Sequence, residues 1–286
     1  MSSNTKTLHE TLQETAEQFS NQPAINFAGR ILDFRSVNRL SDAVATSLAQ
    51  YGIGKGDRVS LYCPNSDAFV LAYFGILKAA ATVVPINTLL NPKEIAFILN
   101  DSGSQGLIYH DAFATNVRKF NSLAHNLRFQ VCIGTHKAFE RDLSWSDFLA
   151  RAPQPANVKI KSAEDIAVIL YTSGTTGFPK GAMLTHRNLL SNVESIWEAV
   201  RLKTGKEIFL VVLPMFHAFA ATASMLTALL HGCVIVPLPR FEPEATANAI
   251  ERVKATVFMA VPSMFLLFLK LPSQCTTKFR SIKFCI

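Results

Sequence analysis

Charged residues are scarce in this sequence: Asp, Glu, Lys and Arg make up 17% of 286 residues, against 49% hydrophobic. So apolar a chain is not disordered over its whole length, and it can bury one large core or two smaller ones. Cysteine is also sparse. Cys63, Cys132, Cys233, Cys275 and Cys285 include no Cys-x-x-Cys unit, which argues against a disulfide framework or a zinc site and suits a reducing cytosol. No basic run is interleaved with aromatics. The net charge of +7 therefore points to a small phosphorylated ligand ahead of nucleic acid, with a solvated basic surface as the plain alternative. Met1 to Glu10 is polar without an apolar core, so no secretory signal is read there. The expected location is cytoplasmic, with peripheral membrane contact left open. Phe219 to Leu238 is uncharged and long enough for a bilayer span, but His231, Gly232 and Pro237 interrupt it. It reads instead as a buried helix over Thr222 to Leu230, a Gly turn, and a strand over Cys233 to Val236.

Strand-like apolar runs alternate with helical periodicity, which predicts an α/β fold of mostly parallel sheets covered by helices in layered subdomains. Leu8 to Phe19 and Val37 to Leu48 each place apolar residues on one helical face. Ala68 to Ala80 reads as a further helix, and Asn91 followed by Pro92 and Glu94 as a helix start. Strands are expected over Arg58 to Tyr62, Ala81 to Ile86, Leu107 to Tyr109, Phe129 to Ile133, Ile166 to Tyr171, Glu207 to Leu213 and Thr256 to Ala260. Ala152 to Ser162 reads as a linker or surface loop. No internal repeat is present. The last residues, Ser281 to Ile286, form an apolar, strand-like run without a polar tail, which reads as a break inside a fold.

The segment richest in chemistry is Tyr171 to Gly181, YTSGTTGFPKG, with four hydroxyls, three glycines and one lysine in eleven residues. Glycines turn backbone N–H groups toward an anion, hydroxyls donate hydrogen bonds, and a lysine supplies a point charge for phosphate oxygens. This is not the common P-loop, because Lys180 precedes Gly181 where that pattern needs Lys-Ser or Lys-Thr. Beyond it Thr185 is placed to cap a helix with Leu189, Val193, Ile196 and Trp197 on one face. On composition alone, a phosphate grip and a plain Ser/Thr/Gly loop between two elements both fit.

The run YTSGTTGFPKGAMLTH, Tyr171 to His186, resembles the signature of the adenylate-forming (AMP-binding) superfamily of acyl-CoA synthetases, coumarate ligases, luciferase and peptide-synthetase adenylation domains. Two further blocks carry the resemblance: GILKAAATVVPIN, Gly75 to Asn87, with Ala80 where a glycine is common, and LPMFHAFA, Leu213 to Ala220. The resemblance implies that Thr172, Ser173, Gly174, Thr175, Thr176 and Gly177 hold ATP phosphates and that Lys180 reaches the outer ones. It places His217 at the edge of the carboxylate and acyl pocket, whereas unaided it reads as a packed histidine. It makes Arg240, in LPRFEPE, a candidate partner for a coenzyme A phosphate, although a surface charge fits the same letters. VFMAVPSMF, Val257 to Phe265, resembles the wall of the acyl pocket, and a plain core strand fits equally.

The resemblance implies an acid-thiol ligase that uses ATP, Mg2+ and coenzyme A to convert a carboxylic acid, expected to be a fatty acid, through an acyl-adenylate to a thioester. No metal ligand is assigned within residues 1–286. The chain corresponds to the N-terminal part of such an enzyme, with subdomains over residues 51–200 and over 1–50 plus 201–286. By this reading the adenine-binding turn, the Tyr-Gly-x-Thr-Glu block that helps place Mg2+, the ribose-binding Asp and a mobile C-terminal domain fall beyond Ile286, and residues 1–286 alone are a poor or inactive catalyst. Leu213 to Thr222 contains no acid, which favours simple carboxylic acids over amino acids but does not separate fatty from aryl acids. A non-catalytic remnant that binds nucleotide or a partner is the alternative from a different class. A kinase-like transferase ranks third, since its lysine context and catalytic loop do not appear.

Overall fold

The structure, a computed structural model, describes residues 6–150, 162–172 and 179–286. The expected linker therefore lies, except for Ser162, outside the described residues. The strands are β1 (Pro23–Phe27), β2 (Arg30–Asp33), β3 (Arg58–Tyr62), β4 (Thr82–Pro85), β5 (Gly106–His110), β6 (Phe129–Ile133), β7 (Leu143–Ser144), β8 (Ile166–Thr172), β9 (Lys180–Thr185), β10 (Ile208–Val211), β11 (Val234–Pro237), β12 (Val257–Phe258) and β13 (Phe284–Cys285). The chain divides into two compact units. One comprises Met1–Glu10, Asn38–Pro64 and Ala68–Leu189, and the other Thr11–Val37, Asn65–Asp67 and Leu190–Ile286.

The first unit is built on a seven-stranded sheet in the order β7-β6-β5-β3-β4-β8-β9, parallel throughout except for the antiparallel β8/β9 pair. Its central strands are mostly apolar because helices cover both faces of such a sheet. β4 and β6 are buried at every residue. The helix start expected at Asn91 forms with Pro92 at its first position. Asn91 Oδ1 accepts from the amides of Lys93 (2.9 Å) and Glu94 (3.1 Å), and Glu94 Oε2 accepts from the Asn91 amide at 2.9 Å. Tyr62, Val84, Ile95, Leu99, Leu107 and Phe120 meet in the core of this unit.

The helix Asp67–Lys78 ends at Ala80, whose φ is +63°. The Ala80 amide donates to Leu77 O (3.0 Å) and the Ala81 amide to Ile76 O (3.1 Å), a helix stop that is normally closed by glycine. The structure thus supplies the physical reason for a glycine preference at this point: a Cβ in the left-handed region costs roughly 1–2 kcal/mol. Ala80→Gly is expected to raise stability by about 1 kcal/mol, net of the extra freedom glycine has when unfolded, as read from urea unfolding.

In the same unit His186 is 2% exposed, and its Nδ1 accepts from the Leu8 amide at 3.2 Å. The His9 ring stands edge-on to it with centroids 5.8 Å apart. Burial pushes His186 down to about 4, with the neighbouring His9 adding to the effect. His9 is also lowered to about 4, first by burial and then by the Lys78 charge. Both rings are neutral in the folded state at neutral pH, and the unfolded chain binds the protons first as pH falls. Their contribution is therefore intact above pH 6.5 and is lost between 6.5 and 4, by up to about 3 kcal/mol for His186 at the lower limit. His186→Asn, which keeps an acceptor for the Leu8 amide, is expected to flatten the fall in urea midpoint between pH 7 and pH 4.

The second unit carries a six-stranded sheet in the order β13-β12-β10-β11-β1-β2, parallel except for the β1/β2 hairpin. The uncharged stretch after β10 is the buried helix expected there, but it starts earlier, at Ala220, and its first part is a π-helix over Ala220–Leu226 that continues as α-helix over Thr227–Leu230. No described helix is long and apolar enough to cross a membrane. The helix Pro243–Val253 packs Ala249 and Ile250 against Leu210, Val212, Val236 and Phe258. All five cysteines are free, and Cys285 alone among them is exposed. The antiparallel additions β1/β2 and β9 were not among the expected strands.

Candidate active site

The expected phosphate-gripping segment begins and ends on two paired strands. Strands β8 and β9 pair antiparallel with Thr172 opposite Lys180, Tyr171 opposite Gly181 and Leu170 opposite Ala182. Opposed residues in such a ladder stand about 5 Å apart at Cα, so the two ends of the segment are pinned together. Ser173, Gly174, Thr175, Thr176 and Gly177 lie outside the described residues. Because β8 runs parallel to β4, its last residue, Thr172, stands at the carboxyl edge of the sheet, where open α/β folds bind their ligands. Thr172 and Lys180 are both exposed.

The base of the hairpin is held by Tyr171. Its hydroxyl donates to Asp101 Oδ2 at 2.5 Å, and its ring lies on Gly181, where an added Cβ would fall 3.0 Å from Tyr171 Cζ and 2.9 Å from Ile169 Cγ2. Gly181 therefore lets the ring cross the strand directly below Lys180. Burial, followed by the Asp101 carboxylate, raises the Tyr171 hydroxyl above its ordinary value, so it remains a donor at neutral pH. After β9, Thr185 caps the helix His186–Val200 as expected: Asn188 N donates to Thr185 Oγ1 at 3.1 Å and Thr185 N to Asn188 Oδ1 at 3.0 Å.

In the second unit, β10 leads into Leu213–Phe219. Met215 and Phe216 are buried, while His217 is exposed with its ring 4.6 Å from that of Phe216. Partial desolvation lowers the basicity of the His217 imidazole, which keeps it neutral at neutral pH. The π-helix follows immediately, with Ala220 fully buried. Such turns recur beside functional sites because the extra residue re-aims the chain. Arg240, after β11, is strongly exposed and pairs with Glu242 at 2.7 Å, and the two border a cleft of about 400 Å³ that also includes Arg252. Val257 to Phe265 spans a buried and an exposed part. Val257 to Ala260 are buried core, whereas Val261 is exposed and begins a helix over Pro262–Phe268 that exposes Leu266 and Leu267.

Residues 12–286 match the AMP-binding enzyme family. The chain belongs to that family. A long-chain-fatty-acid–CoA ligase of Bacillus subtilis (strain 168) is 31% identical, with an alignment covering 98% of this chain and 55% of the relative. Among solved structures, an anthranilate CoA ligase in complex with anthranoyl-AMP is similar at a TM-score of 0.90 and 27% identity, over 98% of this chain and 54% of that one. The inhibitor-bound N-terminal domain of FACL13 from Mycobacterium tuberculosis gives a TM-score of 0.87 at 28% identity, over 98% and 69%. The chain thus spans about half the length of the curated ligase it matches.

Within this AMP-binding chain the structure brings Thr172 and Lys180 together across one hairpin, and sets His217 and Arg240 on the loops that follow the neighbouring strands β10 and β11. Among the described residues no group of three or more His, Cys, Asp and Glu converges. Two contributors were missed at sequence level. One is the Tyr171–Asp101 bond that anchors the hairpin, and the other is Asn65, whose carboxamide ties together the loops after β10 and β11. Asn65 follows Pro64 at the end of a strand and reads in sequence as an ordinary turn residue.

Proposed function

We propose that the complete protein activates a carboxylic acid with ATP and passes the acyl group to coenzyme A. The observation that carries this reading is the Thr172/Lys180 register, which holds the two ends of a Ser/Thr/Gly segment side by side at the carboxyl edge of a parallel sheet. In the first step a carboxylate oxygen bonds to the α-phosphorus of ATP while the bond to the β-phosphate oxygen breaks and pyrophosphate leaves. In the second a thiolate attacks the acyl carbon and AMP leaves. Both reactants in the first step are anions, so the protein's task is to position like charges and to offset charge on the phosphate oxygens.

In this assignment Thr172, Ser173, Gly174, Thr175, Thr176 and Gly177 supply hydroxyl and backbone donors to the phosphates, and Lys180 supplies one ammonium. His217 stands at the edge of the acid site, where its neutral imidazole orients the carboxylate by a hydrogen bond without adding charge. Arg240 meets a phosphate of coenzyme A, and its exposed pairing with Glu242 is weak enough to exchange for such a ligand. Mg2+ is expected to accompany ATP, held by residues outside this chain's described set.

A fatty acid is the favoured substrate, supported by the similarity to a long-chain-fatty-acid–CoA ligase, while the absence of any acid from Leu213 to Thr222 sets simple carboxylic acids ahead of amino acids. An aryl acid is the second reading, favoured by the similarity to an anthranilate CoA ligase. Pyrophosphate release by the complete protein across a panel of fatty and aryl acids tests both. Release with fatty acids and little with benzoate or anthranilate is expected. The opposite order replaces the first reading with the second, and no release with any acid leaves a nucleotide-binding remnant.

A further inference from the structure

Asn65 is 3% exposed, and its side chain is used entirely on the backbone of two loops. Its Nδ2 faces the carbonyl oxygens of Leu213 (2.9 Å), Leu238 (3.1 Å) and Val211 (3.3 Å), while its Oδ1 accepts from the Met215 amide at 2.7 Å. These partners stand at the carboxyl ends of β10 and β11, which are adjacent and parallel. From β10 the chain crosses to β11, and from β11 it crosses back to β12 on the other side of β10. Right-handed crossovers in opposite directions put their helices on opposite faces, so the chain parts at this point, the usual ligand position in open α/β sheets. A single carboxamide spans the parting.

We infer that Asn65 is a positioning residue for this site: it fixes the segment Leu213–His217, and through it the place of the His217 imidazole, without touching substrate. The inference rests on the acid-activation reading only for the role of His217. The chemistry of the contact selects the residue. Two N–H donors shared by three carbonyls and one acceptor for an amide are what a carboxamide offers on a short stem. Aspartate has no donor and would set a carboxylate against three carbonyl oxygens. Alanine would leave the Met215 amide and the carbonyls buried without partners. Because Met215 and Phe216, which follow the anchored amide, are buried, freedom released there passes to His217, the first exposed residue of the loop.

The test uses the complete protein as wild type, Asn65→Ala, Asn65→Asp, His217→Ala and the Asn65→Ala/His217→Ala pair, with a cooperative thermal melt required of each. Without substrate, the Met215 amide and its neighbours through Phe219 are expected to exchange hydrogen about tenfold faster in Asn65→Ala, the loss of one buried hydrogen bond, while the amides of β10 and β11 keep wild-type protection. With substrate, Asn65→Ala is expected to raise KM for the acid about tenfold, to leave KM for ATP unchanged, and to add nothing to His217→Ala. Wild-type protection of residues 213–219, or equal loosening of the whole sheet, overturns the inference. So do losses that add fully in the pair, or a rise in KM for ATP equal to that for the acid. Should Asn65→Ala fail to melt cooperatively, the same comparisons are read on Asn65→Ser, which keeps one donor and one acceptor. If the wild type itself releases no pyrophosphate with any acid, the acid-activation reading falls, and the exchange data alone decide whether Asn65 fixes the segment.

Discussion

Lys180→Ala in the complete protein is expected to slow pyrophosphate release about ten- to a thousandfold, the range seen when one preorganised donor to a developing oxyanion is removed. The physical argument starts from the hairpin. Lys180 is the first residue of β9 and sits opposite Thr172, so its Cα is fixed by the ladder on one side of the loop mouth. In the proposed role its ammonium reaches the phosphates from a backbone that the ladder already fixes, so only side-chain torsions remain to be ordered when ATP binds. Lys180→Arg retains the charge but replaces a compact ammonium with a planar fork, so it is expected to recover part of the rate and no more. Wild-type pyrophosphate release by Lys180→Ala would remove this residue from the site. The Tyr171–Asp101 bond gives a smaller companion effect, since Tyr171→Phe keeps the ring on Gly181 and loses only the anchor.

The second large effect is on folding. Gly75, in the helix Asp67–Lys78, passes so close to the helix Phe34–Gln50 that an added Cβ would stand 2.4 Å from Val44 Cβ and 3.1 Å from Ser41 O. Val44 is fully buried, and a backbone carbonyl stands on the other side, so the helices themselves must separate to admit a methyl group. Gly75→Ala is expected to cost about 3 kcal/mol or more, the upper end for overpacking in a dense core, measured by urea unfolding. Adding Val44→Ala is expected to recover only part of this, because it removes the Val44 Cγ1 at 2.4 Å but retains the Cβ at the same distance. Full recovery by Val44→Ala would instead place the conflict in the side-chain methyls.

Much of the first unit was legible from sequence for a definite reason. Strands β3 and β6 coincide with their expected ranges because strands buried in a parallel sheet are written as mostly apolar stretches, broken here only by Arg58, Ser60 and Gln130. β9 was not legible: Lys180–Thr185 is an edge strand, exposed at its first four residues, and has neither alternation nor an apolar run. The β1/β2 hairpin was hidden by its turn, where Ala28 and Gly29 both take positive φ, at 51° and 85°, although asparagine is the usual signal at the first position.

The site divides in the same way. The phosphate-gripping composition could be read directly, since it is contiguous, and so could the helix cap at Thr185. The carboxamide of Asn65 could not, because its partners at Val211, Leu213 and Leu238 are 146 to 173 residues away, and nothing in a Pro-Asn-Ser turn reports on them. Ala80 is an intermediate case. Its position suggested a glycine, and the left-handed backbone shows why one would suit it.

The most direct measurement of the central claim is a crystal structure of the complete protein with a non-hydrolysable ATP analogue. The account predicts that the segment between Thr172 and Lys180 folds over the triphosphate, with its amides and hydroxyls within hydrogen-bonding distance of the phosphate oxygens and the Lys180 ammonium on the outer ones. A nucleotide bound elsewhere, with that segment turned away from it, would contradict the account.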